Sequence, residues 1–494
     1  MLRSWRRSRI SGRARASRRS EEMRLANFYR TFFRDSLLAL SRAMSRAPDR
    51  RALVLDMDWY RFSLNDEEMA NRLYAHPALS GLVDFVRIDR GQVIPRGTRA
   101  LRLDGRNPRD ITWKGYSLWG LCKASLASFL GRIEPDLSDA AQVEVVEHVY
   151  GEAVQCLQSM ERILLRIRPD AILLFQGGFF DSRCAREVAR RLGVRVIALE
   201  NSMMSDQLFL DDLSGFILNR HRLARLGGDM LEVEVVGEDE RKTTYDWWRQ
   251  SLASKRPEHR TGGIDDPEEI RRLLGIPPEE APLVLLGQVA TDASVVLDSP
   301  LFPDLSSFIR SVVEAVREGR HTILVIRLHP KEATGNTLDG KPYNRMTFRE
   351  LERLGITSLP HVRIVEDSRV STYSLIRMAK GCITLTSQAG FEAALMGKRV
   401  LVCGDAFYAR KGFTMELGHP AFLDTAIAQL LEEGDLLQEE HNRAIDFLLL
   451  MKRHVLYPRD LRGVDGRLRR LFGVRREAQR ALPIAQRSDA QDPG

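Results

Sequence analysis

Within residues 171–200, an apolar run (Ala171-Ile-Leu-Leu-Phe175) leads into a Gly177-Gly178 turn and a helical stretch over about Ser182–Leu192. Gly193 and a second apolar run, Val194-Arg-Val-Ile-Ala-Leu-Glu200, follow. Strand, turn, helix, glycine and strand in so short a span make a βαβ unit. The same rhythm restarts beyond Ser251–Pro278, a charged span rich in Pro and Gly that reads as a linker. Strands are expected at Pro282–Gly287, His321–Arg327, Val362–Val365, Gly381–Thr386 and, closing the series, Arg399–Cys403. Helices are expected at Phe302–Glu318, Ser371–Met378 and Phe391–Met396. The fold class is therefore α/β, with two Rossmann-type, doubly wound domains.

The flanking regions are less regular. Arg51–Asp56 reads as a first buried strand, and residues 57–135 as mixed, with loops at Pro95, Gly97 and Gly105. Apolar positions recur at helical spacing over Val143–Ile167. Leu423–Leu450 reads as helical, and the tail after Arg475 as disordered. The expected division is a basic arm with an amphipathic segment (1–47), a first Rossmann-like domain (48–262), a second (263–422), C-terminal helices (423–475) and the tail (476–494).

Composition excludes several classes. Among the chain's 494 residues, 44% are hydrophobic and 29% charged, and no apolar run approaches the roughly 18 residues that span a bilayer. The five cysteines are scattered without a CxxC pair, which argues against structural zinc and a disulfide framework. The net charge of +8 is uneven: Arg3, Arg6, Arg7, Arg9, Arg13, Arg15, Arg18, Arg19 and Arg24 crowd the first residues. No apolar segment follows, so a secretory signal is not expected. Such an arm suits an anionic lipid surface or stays solvated; no nucleic-acid partner is expected. The expected location is cytoplasmic, peripheral on the inner face of the membrane if the arm binds lipid.

Open α/β sheets bind ligands beyond the carboxyl ends of their strands, and three candidate sites lie there. Gln288-Val-Ala-Thr-Asp292-Ala-Ser294 follows the first strand of the second half. Its Asp292 can act as a nucleophile, as a base, or as a helix or turn cap. Arg327-Leu-His329-Pro330 sets an imidazole at a strand tip, where it can bind a phosphate oxygen or stand as a satisfied loop histidine, and Arg327 on the same strand face can add a bidentate anion contact. Thr386-Ser387-Gln388-Ala-Gly390-Phe-Glu392 offers hydroxyls and a glycine where a helix N-terminus favours an anion. Glu392, in that helix's first turn, can bind a ribose hydroxyl or serve helix-end electrostatics. The pair Asp56-Met-Asp58 reads as a strand-end turn rather than a metal site, and Asp211-Asp212 as a loop. GxGxxG and GxxxxGK[ST] are absent, which argues against a dehydrogenase and a P-loop NTPase.

Together, these motifs resemble the capsule polysaccharide biosynthesis family, the bacterial retaining β-Kdo transferases. The resemblance spans about residues 170–415. Its most specific blocks are Thr386-Ser-Gln-Ala-Gly-Phe-Glu-Ala-Ala-Leu-Met-Gly-Lys-Arg-Val400 and Gly404-Asp-Ala-Phe-Tyr408-Ala-Arg-Lys-Gly-Phe-Thr414. Gln288–Ser294 and Arg327–Pro330 resemble two further motifs, with arginine in place of the usual lysine. Glu200-Asn201 through Asp212 and Gly215 resembles an acceptor-side segment. Tyr408-Ala-Arg-Lys-Gly412 departs from the family's YAGWG, and Asn201-Ser202 stands where glycine is usual.

The resemblance implies a GT-B-like fold, two domains facing across a cleft, that takes Kdo or a related ulosonic acid from a CMP-sugar to a lipid-linked or glycan acceptor. It implies retention through a glycosyl-enzyme intermediate, with no cofactor and no metal. Asp292 would be the nucleophile and Glu200 an acid/base on the acceptor side. His329 would bind the CMP phosphate. Ser387 and Gln388 would touch phosphate and sugar, and Glu392 the ribose. Gln288, Ser294, Arg327, Pro330, Thr386, Gly390 and Tyr408 complete the expected donor side. Alternatives are another GT-B-like transferase, sialyltransferase-like or a polyol-phosphate polymerase, or a non-catalytic assembly protein.

Overall fold

The computed structural model describes residues 52–57, 71–175, 177–204, 206–211, 236–253, 263–317, 322–335 and 342–472. The basic arm and the tail after 475 lie outside the described residues, as do Asp58 and Asp212.

Two six-stranded sheets form the frame. The first orders its strands β14-β7-β6-β5-β1-β2, from Leu456–Pro458, Gln207–Asp211, Arg195–Asn201, Ala171–Phe175, Ala52–Met57 and Val83–Ile88. Strands β2, β1, β5 and β6 run parallel, β7 is antiparallel to β6, and β14 is antiparallel to β7. A short antiparallel hairpin, β3 (Thr112–Trp113) and β4 (Tyr116–Ser117), stands apart. The second sheet is wholly parallel in the order β10-β9-β8-β11-β12-β13. Its strands are β8 Leu283–Leu286, β9 Leu324–Arg327, β10 Val362–Val365, β11 Gly381–Thr384, β12 Val400–Val402 and β13 Met415–Glu416. Every residue of β5, β8, β9 and β11 is buried, the pattern of parallel strands covered on both faces. This is the expected α/β architecture of two Rossmann-type sheets.

In the first half the covering helices are α1 (Leu118–Leu130), α2 (Ala140–Ile167), α3 (Phe180–Arg191) and α4 (Glu238–Ala253). The second half carries α5 (Pro267–Leu274), α6 (Ala293–Asp298), α7 (Leu305–Arg317), α8 (Lys331–Thr334), α9 (Met346–Arg353), α10 (Thr372–Met378) and α11 (Gln388–Leu395). After these come α12 (Leu423–Glu433), α13 (Gln438–His454) and α14 (Asp465–Phe472). The halves touch where α1 packs on α6. Among the described residues no helix is long and apolar enough to cross a membrane.

Several expectations are corrected. Residues 57–135 are not merely mixed: they hold β2, the hairpin and α1. Helix α1 (Leu-Trp-Gly-Leu-Cys-Lys-Ala-Ser-Leu-Ala-Ser-Phe-Leu) is apolar nearly all round, so no polar face marks its period. The linker span contains α5, whose Asp266 side chain caps the helix, with Pro267 at its first position and Gly275 at its end. Asp211 ends a strand rather than lying in a loop. The strand at Val400–Val402 does not close the series, because β13 follows and β14 returns to the first sheet. The helical stretch 423–450 is two helices broken at Gly434, whose φ is +71°. The C-terminal segment serves both halves. Helix α12 packs on α7, while Tyr457, Leu461, Leu468 and Phe472 join the core around Val54, Leu173 and Phe175.

All five cysteines are buried and free. In the second half, Phe391 meets the rings of Tyr408, Phe413 and Phe447 at 5.7, 5.9 and 5.6 Å between centroids. Burying each such side chain stabilises the fold by roughly 1.5–3 kcal/mol, which makes a rigid floor beneath the loop at Thr386–Gln388.

Candidate functional site

The chain leaving β8 is forced against the end of β9. The Gly287 amide donates to the Arg327 carbonyl at 2.9 Å, and a Cβ on Gly287 would lie 2.7 Å from that oxygen. Only glycine allows this approach, which sets the Gln288–Ser294 loop beside His329. Gln288 then clamps two loops together. Its Oε1 accepts from the Thr386 amide at 3.0 Å, and its Nε2 donates to the hydroxyls of Ser294 and Thr386, both at 3.0 Å. Both ends of the amide are thus engaged within the protein.

Asp292 caps α6. Its Oδ1 accepts from the Ser294 amide at 2.8 Å and from the Ser294 hydroxyl at 2.7 Å. The cap reading is therefore realised, and the nucleophile reading is compatible with it: a capped carboxylate is held in one orientation. A continuous chain of hydrogen bonds runs from Thr386 through Gln288 and Ser294 to Asp292.

Glu200 reaches the same place from the other half. It lies at the carboxyl end of β6 and is 5% exposed, and its Oε2 is buried without a hydrogen-bond partner among the described residues. Burial first, and then the nearby charge of Asp292, push its carboxyl well above the usual range. The two carboxyl groups, one from each half, lie near enough for the charge of Asp292 to act on Glu200, and Asp292 is held in place as a cap. Tyr343 lies on the same wall, and burial and the Asp292 charge raise its phenol. The sequence reading missed Tyr343, which ends a polar insert and carried no periodic signal.

His329 follows β9. The Lys331 amide donates to its Nδ1 at 3.1 Å, so a neutral ring carries its proton on Nε2, the tautomer that can donate to a phosphate oxygen. Pro330 opens the single turn of α8. There Glu332, also missed, accepts from the Ala290 amide at 2.9 Å and from the Thr347 hydroxyl at 2.8 Å, pinning the Asp292 loop to α9. Arg327 departs from expectation. Its Nε donates to the Thr372 hydroxyl at 3.2 Å and its Nη1 to the Asp367 carbonyl at 2.9 Å. Two of the three guanidinium nitrogens are thus spent within the protein, while Nη2 is buried without a hydrogen-bond partner among the described residues, so the side chain, 3% exposed, is largely committed to the end of β10. Burial pushes its pKa down to about 10.

At the third site α11 begins at Gln388, three residues earlier than the sequence suggests. The Ser387 hydroxyl caps it, accepting from the Ala389 amide at 3.3 Å. Glu392 consequently sits in the second turn rather than the first, which removes the helix-end role. Its buried Oε2 accepts from the Tyr373 hydroxyl at 3.0 Å. Tyr408 is not on the donor surface: it is fully buried, and its hydroxyl donates to the Ser387 carbonyl at 2.6 Å. It holds the loop from below. Gly390 is what admits it, since a Cβ there would lie 2.1 Å from the Tyr408 hydroxyl oxygen. Gly390→Ala is expected to destabilise the protein by about 1–3 kcal/mol, read as a lowered melting temperature. Adding Tyr408→Phe should restore part of that loss, because the clashing oxygen is gone.

Among the described residues no three or more His, Cys, Asp or Glu side chains gather as metal ligands. Asp56 is buried and accepts from the Tyr74 hydroxyl.

Residues 269–431 match the family model described as capsule polysaccharide biosynthesis protein. Protein FixF of Sinorhizobium fredii is 28% identical over 141 residues, which are 28% of this chain; the chain matches 31% of that relative's length. Among solved structures, the chain is similar to the Thermosulfurimonas dismutans KpsC beta Kdo 2,4 transferase. Identity is 18% over 56% of this chain and 79% of that one, with a TM-score of 0.38. It is also similar to the beta Kdo 2,7 transferase of the same organism, with 14% identity over 79% and 89% and a TM-score of 0.38. A trehalose-phosphate synthase from Burkholderia vietnamiensis gives 13% identity over 86% and 98%, also at 0.38.

Proposed function

We propose, from the match of residues 269–431 to the model of the capsule polysaccharide biosynthesis family, that this chain is a glycosyltransferase that transfers Kdo or a related ulosonic acid from a CMP-sugar to a glycan or lipid-linked acceptor. The observation that carries the reading is the pair formed by Asp292 and Glu200. A carboxyl group raised by its burial and by its neighbour's charge, beside a second one held in place as a helix cap, is equipment suited to dividing acid/base and nucleophile roles.

In this mechanism the Asp292 carboxylate attacks the anomeric carbon, the bond to the CMP phosphate oxygen breaks, and the electron pair leaves with the phosphate. The Nε2 proton of His329 and the amides opening α11 receive the leaving charge, so no cofactor enters the reading. Forming the ester removes the charge of Asp292. One of the two influences that raise the Glu200 carboxyl then disappears, so it gives up its proton to water more readily once CMP has departed. As the carboxylate, Glu200 takes the acceptor hydroxyl's proton, the acceptor oxygen attacks the anomeric carbon, and Asp292 is released. Two displacements at one carbon retain its configuration. Asp292 thus combines two functions, capping α6 through Oδ1 and serving as nucleophile.

A nucleotide-release screen tests this reading, with CMP-Kdo and CMP-sialic acid as the first donors. Release of CMP from CMP-Kdo that accelerates with a lipid-linked glycan acceptor is expected. Turnover of CMP-sialic acid alone would favour a sialyltransferase-like enzyme, and CMP binding without release from any donor would favour a non-catalytic assembly protein.

A further inference from the structure

The parallel strands of the first sheet all start at one pole, and that pole is unlike the rest of the surface. Strand β6 carries Arg195 there and Glu200 at its other end, roughly 17 Å away by strand geometry, so this pole is remote from the candidate site. Three connections meet at it: the end of α2, the end of α3 and the β3–β4 hairpin. The hairpin is tied to both helices. The Arg191 guanidinium of α3 donates to the Lys114 and Gly115 carbonyls, both at 3.0 Å, and lies 3.6 Å above the Tyr116 ring. Lys114 pairs with Glu161 of α2 at 2.9 Å.

The charge here is mostly one sign. Lys114, Arg162, Arg166, Arg168, Arg190 and Arg191 are all exposed. The carboxylates Glu161 and Glu187 offset part of this by pairing with Lys114 and Arg190, and exposed Asp170 and Asp84, at the starts of β5 and β2, offset a further part. Arg162 and Arg166 lie on the exposed face of the last turns of α2. Apolar groups stand among these cations. Trp113 and Tyr116 stack at 6.3 Å on the hairpin, and Lys114 lies 4.8 Å from the Trp113 ring. Leu165 and Leu192 are 54% and 36% exposed, and Leu82, at the start of β2 and so at the same pole, is 48% exposed.

We propose that this pole docks on an anionic lipid bilayer. Basic side chains interleaved with tryptophan, tyrosine and exposed leucines match the headgroup zone, where cations meet lipid phosphates and amphipathic rings sit between water and acyl chains. A nucleic acid would engage the cations but has no use for the leucines. The surface is separate from the residues that carry out the proposed reaction.

The test is sedimentation of the full chain with vesicles of equimolar phosphatidylglycerol and phosphatidylcholine, and with phosphatidylcholine alone. Wild type is expected to bind the anionic vesicles, and Arg162→Glu with Arg166→Glu to bind roughly thirty-fold more weakly or worse, at an unchanged melting temperature. Brominated phosphatidylcholine in the same vesicles is expected to quench tryptophan emission, with a smaller quench in Trp113→Phe. Binding unaffected by the charge reversal, or a quench that is absent in wild type or unchanged by Trp113→Phe, would overturn the proposal. So would binding to duplex DNA that depends on Arg162 and Arg166 when vesicles are not bound.

Discussion

Asp292→Asn is expected to slow CMP release from the donor at least about a thousandfold while leaving the melting temperature close to that of wild type. The size follows from removing a nucleophile, which costs several powers of ten when no other group can replace it. The unchanged stability follows from the cap. Asparagine accepts from the Ser294 amide as aspartate does and is an equally good residue at a helix N-terminus. The substitution therefore separates the two roles that Asp292 combines. If the carboxylate only caps α6, the variant stays active. Steady-state nucleotide release and a thermal melt on one preparation decide between them.

Glu200→Gln carries the second large effect, and here activity and stability move in opposite directions. Loss of the acid/base is expected to reduce acceptor-dependent transfer about 10²–10⁴-fold, with a smaller effect on attack at the donor. Stability follows from proton linkage. Burial and the Asp292 charge raise the Glu200 carboxyl in the folded state, so the folded protein holds a proton that the unfolded chain releases above the ordinary glutamate range. Wild-type stability therefore falls as pH rises from that range toward the folded-state pKa, by up to about 1.4 kcal/mol per pH unit while the one-proton difference lasts. Glutamine does not titrate. The variant should melt higher than wild type in mildly alkaline buffer, with the gap closing toward pH 4. A gap that widens on acidification would contradict the burial and charge assignment for Glu200.

Much of the second half was legible because fully buried parallel strands read as uninterrupted apolar runs, each ending in its functional loop. β8 with Asp292 and β9 with His329 are of this kind. Local chemistry foretold the cap at Asp292 but not its partners. Gln288, read as a donor contact, spends its amide on Ser294 and Thr386, a pairing nearly a hundred residues apart in sequence. Tyr408 was misplaced, and the inward commitments of Arg327 went unread, for a related reason. A tyrosine or an arginine in a motif does not announce whether it lines a pocket or supports it from beneath, and only the packing on Phe391 and the carbonyl of Asp367 decides. Helix α1 was invisible because its faces are alike, whereas α5 had a readable Asp-Pro start and glycine end, obscured by the charged span around it. The opposition of Glu200 and Asp292 depends on how the two halves meet, which no local pattern encodes.

The most direct test of the account is intact-mass analysis of the protein incubated with CMP-Kdo and no acceptor, followed by peptide mapping. The account predicts a mass increase of one Kdo residue that maps to the peptide containing Asp292, disappears when acceptor is added, and is absent in Asp292→Asn. Acceptor-dependent turnover with no adduct, from an enzyme whose Asp292→Asn variant remains active, would contradict it.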